Sequence, residues 1–169
     1  MLILHFVKRG SGRLADPYRD PGVIDSRAPR FNQAVIGSVS VAALVLGWWW
    51  LLAVLAAQLA VGLLLGRRFC LPCLVYFQVM QPLFGEGQLE DARPPRFANM
   101  VGAAVLTVAT LSWVLATPVA GLVFGSMVAA LALLASATGF CAGCEAYVLA
   151  ARLRGRPFVA CPLPARVSQ

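Results

Sequence analysis

The sequence predicts an all-α membrane protein, with four transmembrane helices arranged as two parallel helical-hairpin repeats, each followed by a short interfacial helix. Three observations lead there. First, 60% of the 169 residues are hydrophobic and only 12% are charged, against roughly 25% charged in an ordinary soluble domain. Second, the deficit is local: no charged residue lies between Phe31 and Gly66, or between Phe97 and Cys144. Uncharged apolar runs well beyond ~18 residues read as membrane spans. Third, a unit occurs twice. Asp25-Ser26-Arg27-Ala28-Pro29-Arg30-Phe31 and Asp91-Ala92-Arg93-Pro94-Pro95-Arg96-Phe97 both read D-x-R-x-P-R-F. Phe69-Cys70-Leu71-Pro72-Cys73-Leu74-Val75-Tyr76 and Phe140-Cys141-Ala142-Gly143-Cys144-Glu145-Ala146-Tyr147 both read F-C-x-x-C-x-x-Y. The same order in both copies indicates an internal duplication.

Residues 1–24 read as an N-terminal arm and loop. Met1 to Val7 is apolar but short, and Lys8 and Arg9 follow it rather than precede it, the reverse of a secretory signal. It is therefore expected to remain on the protein. His5 is the only histidine, so no histidine-based metal or haem site is expected. Gly10 to Ile24 carries Gly, Pro and Asp-Pro signals of a loop.

Residues 25–84 form repeat 1. Pro29 suits the first turn of a helix, where no amide hydrogen is needed. As a single helix, Phe31 to Gly66 would run about 54 Å at roughly 1.5 Å per residue, against a hydrocarbon core of ~30 Å. Two spans fit better: Asn32 to Leu46 and Leu51 to Leu65. Gly47 and Trp48–Trp50 then form the turn, with the indole rings at the membrane interface. Arg67 and Arg68 stop the second span. The first cysteine pair follows, then a short interfacial helix over Leu74 to Phe84.

Residues 85–90 are a polar linker, and 91–155 form repeat 2. Its spans are Phe97 to Leu115 and Val119 to Ala137, joined by Ala116-Thr117-Pro118. A short helix over Ala146 to Leu153 follows the second cysteine pair. Residues 156–169, with Pro162 and Pro164, are a tail. Gly37, Gly62, Gly102, Gly121 and Gly125 would let the spans approach closely.

The 14 Lys and Arg residues lie before the first span, between the second and third, or after the fourth; neither hairpin turn carries one. Basic short loops are cytoplasmic. Both termini and both C-x-x-C pairs are therefore expected on the cytoplasmic side of the inner membrane, with the repeats related by an axis along the membrane normal. The flanking arginines account for the net charge of +7, so nucleic acid is not an expected partner. The lipid bilayer is, and a homo-oligomer is admitted.

Any chemistry is expected at Cys70, Cys73, Cys141 and Cys144. Three readings stay open. The pairs are redox dithiols that exchange electrons or sulfur with a thioredoxin-like or sulfurtransferase partner. Alternatively the four thiolates converge on zinc, or less readily an iron–sulfur cluster. Or they are small buried residues at helix ends. A helix beginning at the first cysteine would stabilise a thiolate there. Arg67 and Arg68 would help near Cys70, and Glu145 would oppose it near Cys144, so if both pairs are redox-active the first is expected to hold the more acidic thiol. Tyr76 and Tyr147 share a helical face with the sulfurs and would bond them or anchor at the interface. Cys161 matches neither copy. No ionisable residue lies within a span, which disfavours a pump or proton-coupled transporter. Gln58 is the one strongly polar span residue, with Thr107, Thr110 and Ser112 expected opposite it. Hydrolase and nucleotide motifs are absent.

The order D-x-R-x-P-R-F, apolar hairpin, F-C-x-x-C-x-x-Y, closing in G-F-C-x-G-C-E at Gly139 to Glu145, resembles a family of small bacterial integral membrane proteins catalogued as a domain of unknown function. The resemblance covers about Val23 to Gly155. It implies a four-span protein and an association with thioredoxin-like and sulfurtransferase proteins. Relatives often have fewer cysteines in the first unit, which points first to Cys141 and Cys144. A fold-level resemblance to four-helix membrane thiol oxidoreductases that reduce quinone is weaker, since those work on the opposite face of the membrane.

Overall fold

Both lead-ins start helices, and by the same device. The computed structural model describes residues 16–155; His5, Cys161, the N-terminal arm and the C-terminal tail lie outside them. In chain order the elements are β1 (Val23–Asp25), α1 (Arg27–Val45), α2 (Trp50–Leu64), a 3-10 turn (Arg67–Phe69), α3 (Leu71–Val75), a π-helical turn (Tyr76–Met80), α4 (Gln81–Phe84), β2 (Leu89–Asp91), α5 (Arg93–Val114), α6 (Pro118–Thr138) and α7 (Ala142–Leu153). Asp25 Oδ1 accepts the Arg27 N–H at 3.0 Å, and Asp91 Oδ1 accepts the Arg93 N–H at 2.8 Å. Each carboxylate covers an amide with no helical partner and faces the positive end of the helix dipole. The helices thus begin inside the lead-ins, earlier than the expected Asn32 and Phe97, because the prolines sit where a first turn tolerates them. Similarly, α3 begins at Leu71 rather than Leu74, and α7 at Ala142 rather than Ala146.

The turns fall where the sequence puts them. Gly47 has φ +71° just after α1, the left-handed conformation that glycine adopts without cost. The turn after α5 uses Ala116 at φ +57° instead, which costs an L-residue about 1–2 kcal/mol. Part of that returns as lost chain freedom when glycine replaces it. Ala116→Gly is therefore expected to stabilise the fold by about 0.5–1 kcal/mol. A thermal melt in detergent checks this, and an unchanged or lower Tm refutes it.

The all-α expectation is corrected at one place. β1 and β2 pair antiparallel, Val23 with Asp91, Ile24 with Glu90 and Asp25 with Leu89. Extended residues ahead of each helix have backbone groups to satisfy, and the two lead-ins satisfy each other. Three-residue strands leave no readable period, so only the folded chain reveals them. The linker boundary also shifts, since β2 straddles the junction of the expected linker and second unit.

The ribbon sets the starts of α1 and α5 side by side, and both hairpins return to that end. Arg96 Nη2 donates to the Leu63 carbonyl near the end of α2 at 3.1 Å. α1 packs on α6, α2 on α5, and α5 on α6. Ile36, Ala43, Leu52, Leu55, Ala56, Leu59, Leu106, Ala109 and Val128 form the buried cluster between them. At Gly37 a Cβ would lie 2.7 Å from Leu133 Cγ, so the α1–α6 approach requires glycine. Thr107, Thr110 and Ser112 donate to their own helix at Ala103, Leu106 and Val108, and Gln58 donates to the Phe69 carbonyl at 3.3 Å. α5 and α6, of 22 and 21 residues, are long and apolar enough to cross a membrane; α2 is apolar but shorter, at 15 residues.

Candidate functional site

The cysteine pairs follow the two returning helices and line separate cavities at the same end of the molecule. Among the described residues no three His, Cys, Asp or Glu side chains converge as a metal site. The sulfurs are thus not gathered into the four-thiolate centre weighed from the sequence. The pairs also differ chemically: Cys70 and Cys73 are joined as a disulfide, while Cys141 and Cys144 are free thiols.

Cys141 is the residue before the first turn of α7, and its sulfur caps that helix. Gly139 ends α6 in the left-handed region, φ +78°, turning the chain so that Cys141 can start the next helix. The Cys144 N–H donates to Cys141 Sγ at 3.3 Å, and Gln33 Nε2 on α1 donates to it at 3.3 Å. The Cys144 thiol also donates to it; this bond comes first in lowering the Cys141 pKa to about 6. Burial opposes it, and the backbone of Cys144, Gln33 and the backbone of Gly143 add to it. Cys144 moves the other way: its bond to Cys141 and burial push it far up, and Glu145 and Glu90 push further. One proton is thus held by Cys144 and one negative charge by Cys141. Cys70 and Cys73, bonded to each other, carry no thiol to titrate, whereas Gln33 reaches the Cys141 sulfur from another helix. The cavity over this pair has a volume of about 210 Å3, with Gln33 and Arg30 on one wall and Glu145, Glu90 and Asp91 on others.

The position of α7 depends on Gly143, where a Cβ would sit 2.8 Å from Ala98 Cβ on α5. Gly143→Ala is expected to cost about 1–3 kcal/mol through overpacking. It should also raise the pH midpoint of Cys141 alkylation by moving α7 away from Gln33. A destabilised variant with an unchanged midpoint would disconnect this contact from the thiolate.

Around the first pair the cavity is about 230 Å3, lined by Arg67, Arg68 and Arg96, the carboxamides of Asn32, Gln58 and Asn99, and apolar α2 residues. Asn32 and Asn99 meet at 3.4 Å. Arg67 donates to the carbonyls of Pro17, Asp20, Pro21 and Val23 at 2.7–3.4 Å, which ties the entering chain to the disulfide. Beside it Asp25, 2% exposed, accepts from Gly87 N–H at 2.9 Å and Gln81 Nε2 at 3.4 Å. Burial and then a bond to Asp25 push the Tyr76 phenol above its ordinary range. Tyr76 is 5% exposed and packs with Phe31 and Phe77, so it is a core residue rather than an interfacial anchor or a sulfur ligand. Tyr147 packs with Phe97 in the equivalent manner.

Sequence reasoning missed Gln33, Asn99 and Asp25 as site residues. A signal existed for the first two. With the lead-ins aligned on Phe31 and Phe97, Gln33 and Asn99 occupy the same place, and each lines the cavity of the other half's cysteine pair.

No curated protein matches the chain. No solved structure matches it either. A family pattern does match, over residues 24–152, and this interval holds both lead-ins, all of the ribbon but Val23, all four long helices and both cysteine pairs. The chain therefore belongs to the family described as a domain of unknown function, DUF4395.

Proposed function

We propose that the protein is a multi-pass membrane thiol–disulfide exchange component in which Cys141 is the nucleophile and Cys144 the resolving thiol. The observation that carries this reading is the Cys141 sulfur, held as a thiolate by the Cys144 thiol, Gln33 and the backbone amides of Gly143 and Cys144, and opening on a cavity. The Cys141 thiolate attacks a partner's disulfide. One partner sulfur leaves as a thiolate and takes up a proton, and a mixed disulfide forms on Cys141. That step removes the negative charge that kept Cys144 protonated. Cys144 then loses its proton to solvent and attacks the Cys141 sulfur, releasing the partner's second sulfur. The partner gains two electrons and Cys141–Cys144 becomes a disulfide. A thioredoxin-like protein suits this exchange; a sulfurtransferase suits the related transfer of a sulfane sulfur onto Cys141.

The membrane setting rests on where apolar surface lies. The most apolar stretches of α5 and α6 are only 11% and 33% buried, and side chains such as Leu111, Val123 and Leu134 are exposed. Contiguous apolar surface of that extent is unfavourable in water and suits lipid. In this reading α1, α2, α5 and α6 span the bilayer as two parallel hairpin repeats. The ribbon register supports the repeats: exchanging the units maps Val23–Asp91 onto Asp25–Leu89 and returns Ile24–Glu90 to itself. The same exchange swaps the α1–α6 contact with α2–α5. The arginine-rich end, with both cysteine pairs, then faces the cytoplasm.

The test is trapping. Purified protein is treated with a small neutral disulfide and analysed by mass. Wild type should form Cys141–Cys144, Cys144→Ser should accumulate a mixed disulfide on Cys141, and Cys141→Ser should form neither. A Cys144→Ser protein that forms no adduct would remove Cys141 as nucleophile.

A further inference from the structure

The two cavities occupy equivalent places in the two halves, yet their charges are opposite. The first is lined by Arg67, Arg68 and Arg96 and, among the described residues, by no carboxylate. The second is lined by Glu90, Asp91 and Glu145 against Arg30. Basicity of the whole end cannot produce that contrast, because both cavities lie at the same end and are of similar size.

The first cavity brings like charges together where water is partly excluded. Burial first, and then the nearby Arg96, lower the Arg67 pKa: the cation is partly desolvated and has a like charge beside it. Arg67 is engaged with backbone carbonyls, but those bonds do not neutralise it. Arg96 has one nitrogen on Leu63, and Arg68 lies over the Tyr18 ring, 5.8 Å from its centroid. A guanidinium retains several donors beyond one such bond. Asn99 and Asn32 add neutral amide donors. The remaining wall is hydrocarbon, from Leu59, Leu63 and Leu65 of α2 and its end. The cavity thus combines donors for an oxyanion with apolar surface for an acyl chain. Guanidinium groups recognise phosphate oxygens in this way, and basic pockets between helices take acidic headgroups.

We propose that this cavity binds a phosphate-bearing anion seated over the Cys70–Cys73 disulfide, its apolar wall fitting the chain of an anionic lipid. Bound there, the anion covers the disulfide and slows its reduction. The thiols of the second cavity are unaffected, because their carboxylates repel the same ligand. The proposal does not depend on the exchange reading, since the disulfide serves only as a reporter.

The test uses the full chain in nanodiscs of phosphatidylcholine alone, with phosphatidylglycerol added, or with inorganic phosphate in the buffer. The rate of Cys70–Cys73 reduction by a neutral phosphine is read by alkylation and mass analysis at mildly alkaline pH. Alkylation of Cys141 in the same sample is the internal control. If the pair is already reduced, alkylation of Cys73 is compared instead. Phosphatidylglycerol is expected to slow the first-pair reaction several-fold and leave the Cys141 rate unchanged. Arg68→Gln and Arg96→Gln should abolish the slowing, whereas Arg19→Gln, at an exposed arginine outside the cavity, should keep it. Arg68→Gln alone carries the comparison if loss of the Leu63 bond prevents Arg96→Gln from assembling. Slowing by inorganic phosphate alone assigns the site to a free oxyanion rather than a lipid. The proposal is overturned if neither anion changes the rate, if both cysteine pairs slow equally, or if the Arg68 variant behaves as wild type.

Discussion

Alkylation of Cys141 by a neutral reagent is expected to rise with pH through a midpoint near 6, well below the ordinary thiol value of about 8.5. At pH 7 a thiol with that pKa is roughly nine-tenths thiolate, whereas an unperturbed one is a few per cent thiolate at most. The rate at a single pH is a poor test, because nucleophilicity falls as the pKa falls and offsets most of the gain. The midpoint is the informative quantity. Cys144→Ala removes the strongest donor to the thiolate, so the midpoint should rise by about a unit or more, toward the ordinary value. Gln33→Leu removes one neutral donor worth about 1 kcal/mol, so it should raise the midpoint by about half a unit to one unit. The same shift has a stability consequence. Folding favours the thiolate, so this stabilisation is full above the unfolded thiol pKa of about 8.5 and is lost as pH falls through about 6. A wild-type midpoint at or above the ordinary value would remove the thiolate, and with it the nucleophile assigned above.

Asp25→Ala is expected to be among the most damaging single changes outside the cysteines, costing about 3–5 kcal/mol. The carboxylate is almost fully buried and serves the Arg27 and Gly87 amides, Gln81 and Tyr76. Its removal leaves several buried donors without an acceptor while gaining nothing in packing. Asp25→Asn keeps one acceptor oxygen and should fall between the two. Asp91→Ala supplies the contrast. Asp91 is only partly buried and pairs with the exposed Arg93, which water can solvate once the partner is lost, so the loss should be smaller. Thermal unfolding of the three variants in one detergent ranks them. Equal losses at Asp25 and Asp91 would show that burial does not separate the two. Base provides a second reading of the same cluster. The Tyr76 pKa is raised in the folded state, so its contribution is present below the ordinary tyrosine pKa of about 10 and is lost as pH climbs above it. Tyr76→Phe should flatten that alkaline decline.

The long helices were legible because their causes are local. The uncharged stretches placed α1, α2, α5 and α6 to within a few residues, and Gly47 and Pro118 marked the turns. The Asp–Arg spacing of the lead-ins was visible too, although its capping role was not read from it. Other features had no local signature. The strands are three residues long and satisfied only by each other. Tyr76 looked interfacial beside a cysteine motif, yet Phe31, Phe77 and Asp25 bury it. Arg67 read as the stop of a span and a help to a thiolate, and it clamps four carbonyls near the start of the described chain. The family resemblance pointed first to the second cysteine pair, and the free thiols are found there.

Taken alone, the sequence determined the helices, their turns and the fact that each cysteine pair follows a returning helix. It could do so because a helix is made by hydrogen bonds four residues apart and by uninterrupted apolar composition. Only the tertiary structure decided which sulfurs are bonded, which thiol holds the negative charge, and that one cavity is cationic while its counterpart is acidic. Those outcomes depend on distance in space: Gln33 and Cys141 are 108 residues apart in the chain and 3.3 Å apart in the fold. Proton affinity responds to charges and donors within a few ångströms, whatever their separation along the backbone.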